Sequence, residues 1–181
     1  MTCALIIIDM QRGIGDPTLG NRNNPDAEDN IARLLGRWRE SANPVVHVRH
    51  ISRSPHSVFW PGQPGAEFQD RFRPLAAEHV IEKNVPDAFI NSALERWLHV
   101  RAIDAVTIVG VITNNSVEAT ARSAGNLGFN TVVVSDACYT FDKADYQGRM
   151  RSAEEVHAMS LANLQGEYAT IVTTQHVLDT L

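Results

Sequence analysis

Three side chains that could carry out acid–base and nucleophilic chemistry follow separate apolar segments of the chain. Asp9, Lys83 and Ser116 each lie at or soon after the end of such a segment. A carboxylate can move a proton, an amine can offset developing charge and a hydroxyl can attack a carbonyl carbon. Taken one at a time, each has a simpler explanation as an ion pair, a surface charge or a helix cap.

Ser116 has the most informative local sequence, G-V-I-T-N-N-S-V-E-A-T-A-R over 110–122, in which a strand is predicted to turn sharply into a helix. The first amides of a helix lack backbone partners and lie at the positive end of its dipole, so they can bind an oxyanion. Ser and Asn are also good helix caps, and the residue types alone favour that explanation.

Alternating strands and helices are predicted to position these residues. Continuous apolar or β-branched runs predict strands over 4–9, 45–50, 79–83, 105–111, 131–134 and 169–172. Capping signals predict helices from Asn24-Pro25 to about Trp38, from Asn91 to about Val100, from Asn114 or Asn115 to Gly125, and from the 152–155 capping box to about Leu164. This alternation predicts one α/β domain over 1–181, a three-layer α/β/α, Rossmann-like fold with a mainly parallel sheet of five to six strands.

The carboxyl edge of that sheet is where a ligand is expected. Ligands of open parallel sheets bind beyond the carboxyl ends of the strands, so Asp9, Lys83 and Ser116 are predicted to converge there. Residues 51–74 form a long segment rich in Pro, Gly and aromatic residues, which is typical of a functional loop. Phe59, Trp60 and Phe89 are candidate pocket walls, although they could equally only anchor the loop.

Composition limits the classes of partner. The chain has 181 residues, 44% of them hydrophobic and 20% charged, and a formal net charge of −5. An acidic balance disfavours nucleic acid and favours a small-molecule substrate. The apolar start is too short to span a membrane and lacks signal-peptide features, while Cys3 and Cys138 form neither a disulfide framework nor a zinc pattern. A cytoplasmic, reducing location is therefore expected.

Three separated motifs together resemble one family. The segments A-L-I-I-I-D-M-Q over 4–11, E-K-N-V-P-D-A-F over 82–89, and 110–121 with S-D-A-C at 135–138 resemble the isochorismatase-like cysteine hydrolases. The resemblance implies a hydrolase whose Asp, Lys and Cys triad would map onto Asp9, Lys83 and Ser116. The third position departs from the family, because it holds serine.

The resemblance also implies details of the site. The family carries a non-proline cis peptide before the nucleophile, which here would join Val111 and Ile112, and the amides of Ile112 and Ser116 would form the oxyanion hole. His50, from its position at the end of the second predicted strand, and Thr113 are predicted as further substrate contacts. A homo-oligomer, dimer or tetramer, is implied as well.

Serine at the nucleophile position leaves three interpretations open. Ser116 could attack an amide-type carbonyl with Asp9 as base and Lys83 as orienting and electrostatic group. Asp9 could instead protonate an isochorismate-type vinyl ether, with no nucleophile, or the chain could be a non-catalytic small-molecule binder. An introduced replacement of a cysteine would also give this sequence, although Asn114-Asn115-Ser116 is a coherent native turn.

No metal and no cofactor are expected. His47 and His50 are three residues apart on a predicted strand and point to opposite faces, so they cannot share an ion. The end of that strand and the residues that follow it, R-H-I-S-R-S over 49–54, lack the Asp-x-His motif of the zinc-binding members of the family. Cys138 corresponds to a family cysteine without a catalytic role.

Overall fold

A six-stranded parallel sheet forms the centre of the molecule in the computed structural model, which describes residues 2–180. Its strands are β1 (Cys3–Ile8), β2 (Val45–His50), β3 (His79–Lys83), β4 (Ala105–Val111), β5 (Asn130–Tyr139) and β8 (Thr170–Val172). A separate hairpin pairs β6 (Lys143–Ala144) with β7 (Met150–Arg151). The helices are α1 (Ala27–Glu40), α2 (Leu94–Val100), α3 (Glu118–Asn126), α4 (Ala153–Leu164) and α5 (Thr174–Thr180).

The strand order β3-β2-β1-β4-β5-β8 places the two strands bearing Asp9 and Ser116 side by side. From β1 the chain builds outward through β2 and β3, whereas from β4 it builds the other way through β5 and β8. The gap between the carboxyl ends of β1 and β4 is therefore the topological switch point, where open parallel sheets bind ligands. The predicted α/β fold with a mainly parallel sheet of five to six strands is confirmed.

Two apolar layers hold helices against both faces of the sheet. Alternate residues of β1 divide between them: Ile6 and Ile8 pack toward α2, α3 and α4, while Leu5 and Ile7 pack toward α1 and α5. Both sets are buried, which explains why this strand is apolar throughout rather than alternating. None of the helices in the described part of the chain is long and apolar enough to cross a membrane.

Some element boundaries differ from those predicted. The first helix begins at Ala27, because Asn24 has φ 46° and its side-chain amide donates to the carbonyls of Ser135 and Cys138 instead of capping a helix. The residues after β4 form a π-helical turn over Thr113–Val117, with the α-helix starting only at Glu118. The hairpin and α5 were not predicted, because both segments are short and mostly polar.

Gly110 allows β1 and β4 to approach closely beside the switch point. It pairs with Ile8 and has φ +116°, and a Cβ added to it would lie 2.2 Å from the Ile8 carbonyl oxygen. An L side chain would meet both a disfavoured backbone conformation and a rigid backbone atom. Only glycine fits here without moving one of the two strands that carry the site.

We expect Gly110→Ala to lower the free energy of unfolding by about 3 kcal/mol or more, since it adds backbone strain and overpacking together. Gly36→Ala, within α1, is the matched control, because beyond the adjacent helix backbone no atom of the described residues lies within 4 Å of its added Cβ. It should raise stability by roughly 0.5–1 kcal/mol. Denaturant unfolding measures both variants, and equal effects would contradict the close-approach explanation.

Candidate active site

Asp9, Lys83 and Ser116 meet at the carboxyl edge of the sheet. The Lys83 Nζ donates to Asp9 Oδ2 over 2.6 Å and to Ser116 Oγ over 3.1 Å. The three residues are only 6%, 3% and 6% exposed, respectively. The amine therefore links the carboxylate and the hydroxyl in a site that is almost closed to water.

The backbone positions these three groups from three different strands. Asp9 directly follows β1 with φ 53°, a conformation uncommon for a residue other than glycine, and its amide donates to the Val48 carbonyl over 2.9 Å. Lys83 ends β3, so its side chain has to pass the end of β2 to reach Asp9. A long, flexible lysine can span two strands, whereas a short side chain at this position could not.

Burial controls the electrostatics of the pair. Removal from water raises the pKa of Asp9 above its ordinary value, while the charge and hydrogen bond of Lys83 and the Ser116 hydroxyl act in the opposite direction. The second carboxylate oxygen, Oδ1, is buried and has no hydrogen-bond partner among the described residues. A buried carboxylate oxygen whose hydrogen-bonding capacity is unused can accept a proton.

The turn that carries Ser116 is held from beneath by α4. The Thr113 hydroxyl and His157 Nδ1 are hydrogen-bonded at 2.9 Å, and the Ser160 hydroxyl donates to the Thr113 carbonyl over 3.2 Å. On the other side, the Thr140 hydroxyl donates to Asn114 Oδ1 over 2.6 Å. The Val111–Ile112 peptide bond in this turn is cis, as the resemblance implies.

A cavity of about 190 Å³ opens beside the three groups. Of the predicted site residues, Asp9, His50, Phe59, Ile112 and Ser116 line it. The further lining residues are Ile14, Pro86, Val111 and Asn115. None of these four is predicted from the sequence as a pocket residue, because an apolar residue or an Asn in a loop has no chemical signature.

Three predicted substrate contacts do not line this cavity. Thr113 is fully buried, and its hydroxyl is engaged with His157. Phe89 stacks on Phe129, with ring centroids 5.9 Å apart, and belongs to the core. Trp60 is half-buried in the loop, so its neighbour Phe59 alone of these aromatic residues forms a wall.

Gln11 anchors the long loop to the site, and sequence reasoning missed it. Its side-chain amide donates to the carbonyls of His50 and Ala66 over 2.9 and 2.8 Å, and its oxygen accepts from the His50 amide over 2.7 Å. Gln11 is fully buried, so these bonds satisfy groups that water cannot reach. They fix residues 50 and 66 relative to β1 and thereby position one side of the cavity.

The remaining histidines and cysteines lie outside this arrangement. Among residues 2–180, no group of three His, Cys, Asp or Glu side chains is placed to hold a metal ion. His47 is buried and bonded to Glu78 over 2.8 Å. Burial raises the pKa of Cys138 to about 12, so its thiol stays protonated, whereas a nucleophilic cysteine acts as thiolate.

Comparison with known proteins gives one family. A family model described as the isochorismatase domain matches residues 3–176. The isochorismatase family protein YrdC of Bacillus subtilis is 39% identical over 97% of this chain and 94% of its own length. Maleamate amidohydrolase of Pseudomonas putida is 27% identical over 98% of this chain and 86% of its own length. A crystal structure of an isochorismatase-family protein from Chromobacterium violaceum superposes with a TM-score of 0.96 and 47% identity, covering 98% of this chain and 92% of that one.

Lys83→Met tests the ion pair. It leaves the Asp9 carboxylate buried without its counter-charge, so the pKa of Asp9 should rise further and the free energy of unfolding should fall by about 3–5 kcal/mol near pH 7. The deficit should shrink as pH falls toward the ordinary aspartate value, because a raised folded-state pKa removes stability as pH rises through it. Denaturant unfolding from pH 4 to 8 measures this.

Adding Asp9→Asn to Lys83→Met is the control for this experiment. The double variant removes the uncompensated charge, so most of the deficit at neutral pH and nearly all of its pH dependence should disappear. A deficit that is independent of pH in the single variant would show that Lys83 acts mainly through packing.

Proposed function

The chain belongs to the isochorismatase family of hydrolases, and we propose that it cleaves the carbon–nitrogen bond of a small amide, with Ser116 as nucleophile. Asp9 is the proton acceptor, and Lys83 orients it and offsets charge. The observation that carries this proposal is the pair of hydrogen bonds from Lys83 Nζ to Asp9 and to Ser116. Because the amine donates to the hydroxyl oxygen, the hydroxyl proton is not used in that bond and can pass to Asp9 during the reaction.

The proposed reaction proceeds in two halves. Ser116 Oγ forms a bond to the carbonyl carbon while its proton passes to Asp9, and the amides of Ile112 and Ser116 stabilise the oxyanion. The carbon–nitrogen bond then breaks, and the nitrogen takes the proton from Asp9. Water next attacks the acyl-serine ester with Asp9 again as base, which releases the acid and restores the serine.

Two features support a serine in this role. A hydroxyl is much less acidic than a thiol, so it requires a better base than a cysteine does. Burial provides one by raising the pKa of Asp9, and the unpaired Oδ1 is the acceptor. Lys83 also places positive charge beside Oγ, which stabilises the alkoxide character that develops during attack.

The raised pKa of Asp9 also supports a second candidate function. A carboxyl group that keeps its proton more readily can protonate a vinyl ether of the isochorismate type, and this reaction needs no nucleophile. Ser116 would then only bind substrate or water. The two candidate functions require opposite protonation states of Asp9 in the free enzyme, so their activities depend on pH in opposite directions.

Site variants separate these candidates. With small amides and an isochorismate-type ether as substrates, Ser116→Ala should reduce amide turnover to background, and Asp9→Asn should reduce it about 100-fold or more. Ser116→Cys should retain or raise amide turnover, because the thiol is easier to ionise. Steady-state kinetics measure these effects. Loss in Asp9→Asn alone, on the ether, would instead establish the protonation route, and binding without turnover in the wild type would establish a non-catalytic binder.

The pH profile of kcat/KM gives an independent test. If Asp9 is the base, amide turnover should fall as pH drops through a pKa above the ordinary aspartate value, because the carboxylate must be charged. Thr18→Ser, at an exposed position outside the cavity, is a control that should keep the same profile. An activity that instead falls as pH rises through that pKa would assign Asp9 the role of acid.

A further inference from the structure

The walls of the cavity beside Ser116 are mostly apolar. Ile14 and Val111 are buried, Phe59 and Ile112 are half-buried, and Pro86 lies exposed at the mouth. The polar lining groups are His50, Asn115 and the reacting groups Asp9 and Ser116. Since hydrocarbon walls cannot satisfy the polar atoms of a ligand, a substrate gains most here by burying an apolar acyl chain.

No lysine or arginine lines the cavity in the part of the chain that the structure describes. Lys83 lies behind Asp9 and Ser116 and already donates to both. On the neighbouring segments, Arg12 is paired with Asp70, and Arg53 is exposed, donates to the neutral Asn84 side chain and does not line the cavity. A carboxylate on the acyl part of a substrate would therefore be buried without a cationic partner, which is strongly unfavourable.

His50 does not provide that partner. Its ring is half-buried, lies edge-on to Phe59 with ring centroids 6.1 Å apart, and borders the same cavity. Burial and the charge of Lys83 lower the pKa of His50, with Asp9 acting in the opposite direction, so the imidazole is neutral near pH 7. The charges of Asp9 and Lys83 cancel one another, and the cavity consequently has no net positive charge.

The size of the cavity sets a second limit on the substrate. The cavity has a volume of about 190 Å³. Pockets that enclose drug-sized ligands are larger, on the order of 300–1,000 Å³. The space beside Ser116 therefore suits a short aliphatic amide such as butyramide, and Phe59 is the largest side chain in its lining.

We propose that the site selects amides with a short, uncharged aliphatic acyl group and rejects those whose acyl group carries a carboxylate. This specificity rests on the proposed amide hydrolysis and adds a substrate class to it. Phe59 is assigned as the residue that limits acyl length. The missing cation in the lining, rather than steric exclusion, is assigned as the reason for rejecting anions.

Three amides separate size from charge. Butyramide is the fitting substrate, hexanamide is longer and neutral, and succinamate has as many heavy atoms as hexanamide but carries a carboxylate. We expect kcat/KM for butyramide to exceed that for hexanamide by about 10-fold or more, since misfitting methylene groups change specificity on this scale. Succinamate should be a further 100-fold or more below hexanamide.

Matched variants test the assigned causes. Phe59→Ala should raise the hexanamide-to-butyramide ratio by about 10-fold, whereas Trp60→Ala, the adjacent aromatic residue outside the lining, should leave it unchanged. His50→Arg adds a cation to the wall and should raise the succinamate-to-hexanamide ratio by 10-fold or more. A shift in the chain-length ratio in Trp60→Ala equal to that in Phe59→Ala would overturn the role of Phe59.

The outcomes distinguish this specificity from the proposed function. Turnover of succinamate equal to that of hexanamide would overturn the specificity and leave amide hydrolysis standing. Absence of turnover with all three amides, together with turnover of any other small amide, would also overturn the specificity alone, whereas absence of turnover with every small amide would overturn the proposed function. In that case, titration calorimetry of Ser116→Ala with the same amides still tests the cavity, because tighter binding of succinamate than of butyramide contradicts an uncharged acyl site.

Discussion

The buried ion pair between Lys83 and Asp9 is the constraint on which the site depends. Either charge alone would be strongly unfavourable in a place from which water is almost excluded, and the two together are tolerable only at hydrogen-bond distance. Their 2.6 Å contact thus ties the end of β3 to the end of β1 across the intervening β2. Lys83 Nζ also lies beside Ser116, while Asp9 Oδ1 has no hydrogen-bond partner in the part of the chain that the structure describes.

The rest of the fold keeps that pair and the serine in register. Gly110 lets β4 lie close against β1, and the hydrogen bonds of His157 and Ser160 to Thr113 hold the turn that follows β4. Gln11 fixes the opposite wall by bonding residues 50 and 66. These supporting residues touch no part of the cavity, so their contribution is positional: a serine acts as a nucleophile only if base and oxyanion donors are already aligned.

Much of the fold and the three central residues could be predicted from the sequence, because buried parallel strands are recognisable as apolar runs and their carboxyl ends share one edge. The supporting residues could not. His157 and Gln11 depend on contacts with segments distant in the chain, for which local pattern holds no signal. Phe89 and Trp60 are predicted as pocket walls but do not line the cavity. An aromatic residue near a predicted site is equally suited to a core, and Phe89 packs on Phe129.

One pair of charges links reactivity and selectivity. Lys83 is paired with Asp9 and bonded to Ser116 inside the protein. Its positive charge can therefore raise the reactivity of the hydroxyl without creating a field in the cavity that attracts anions. A free lysine or arginine in the lining would bind carboxylates. Its charge would also lower the pKa of Asp9, whereas a base that deprotonates serine needs a high pKa. An uncharged, apolar cavity therefore helps to keep the pKa of Asp9 high, and the proposed preference for neutral substrates rests on the same physics as the proposed use of serine.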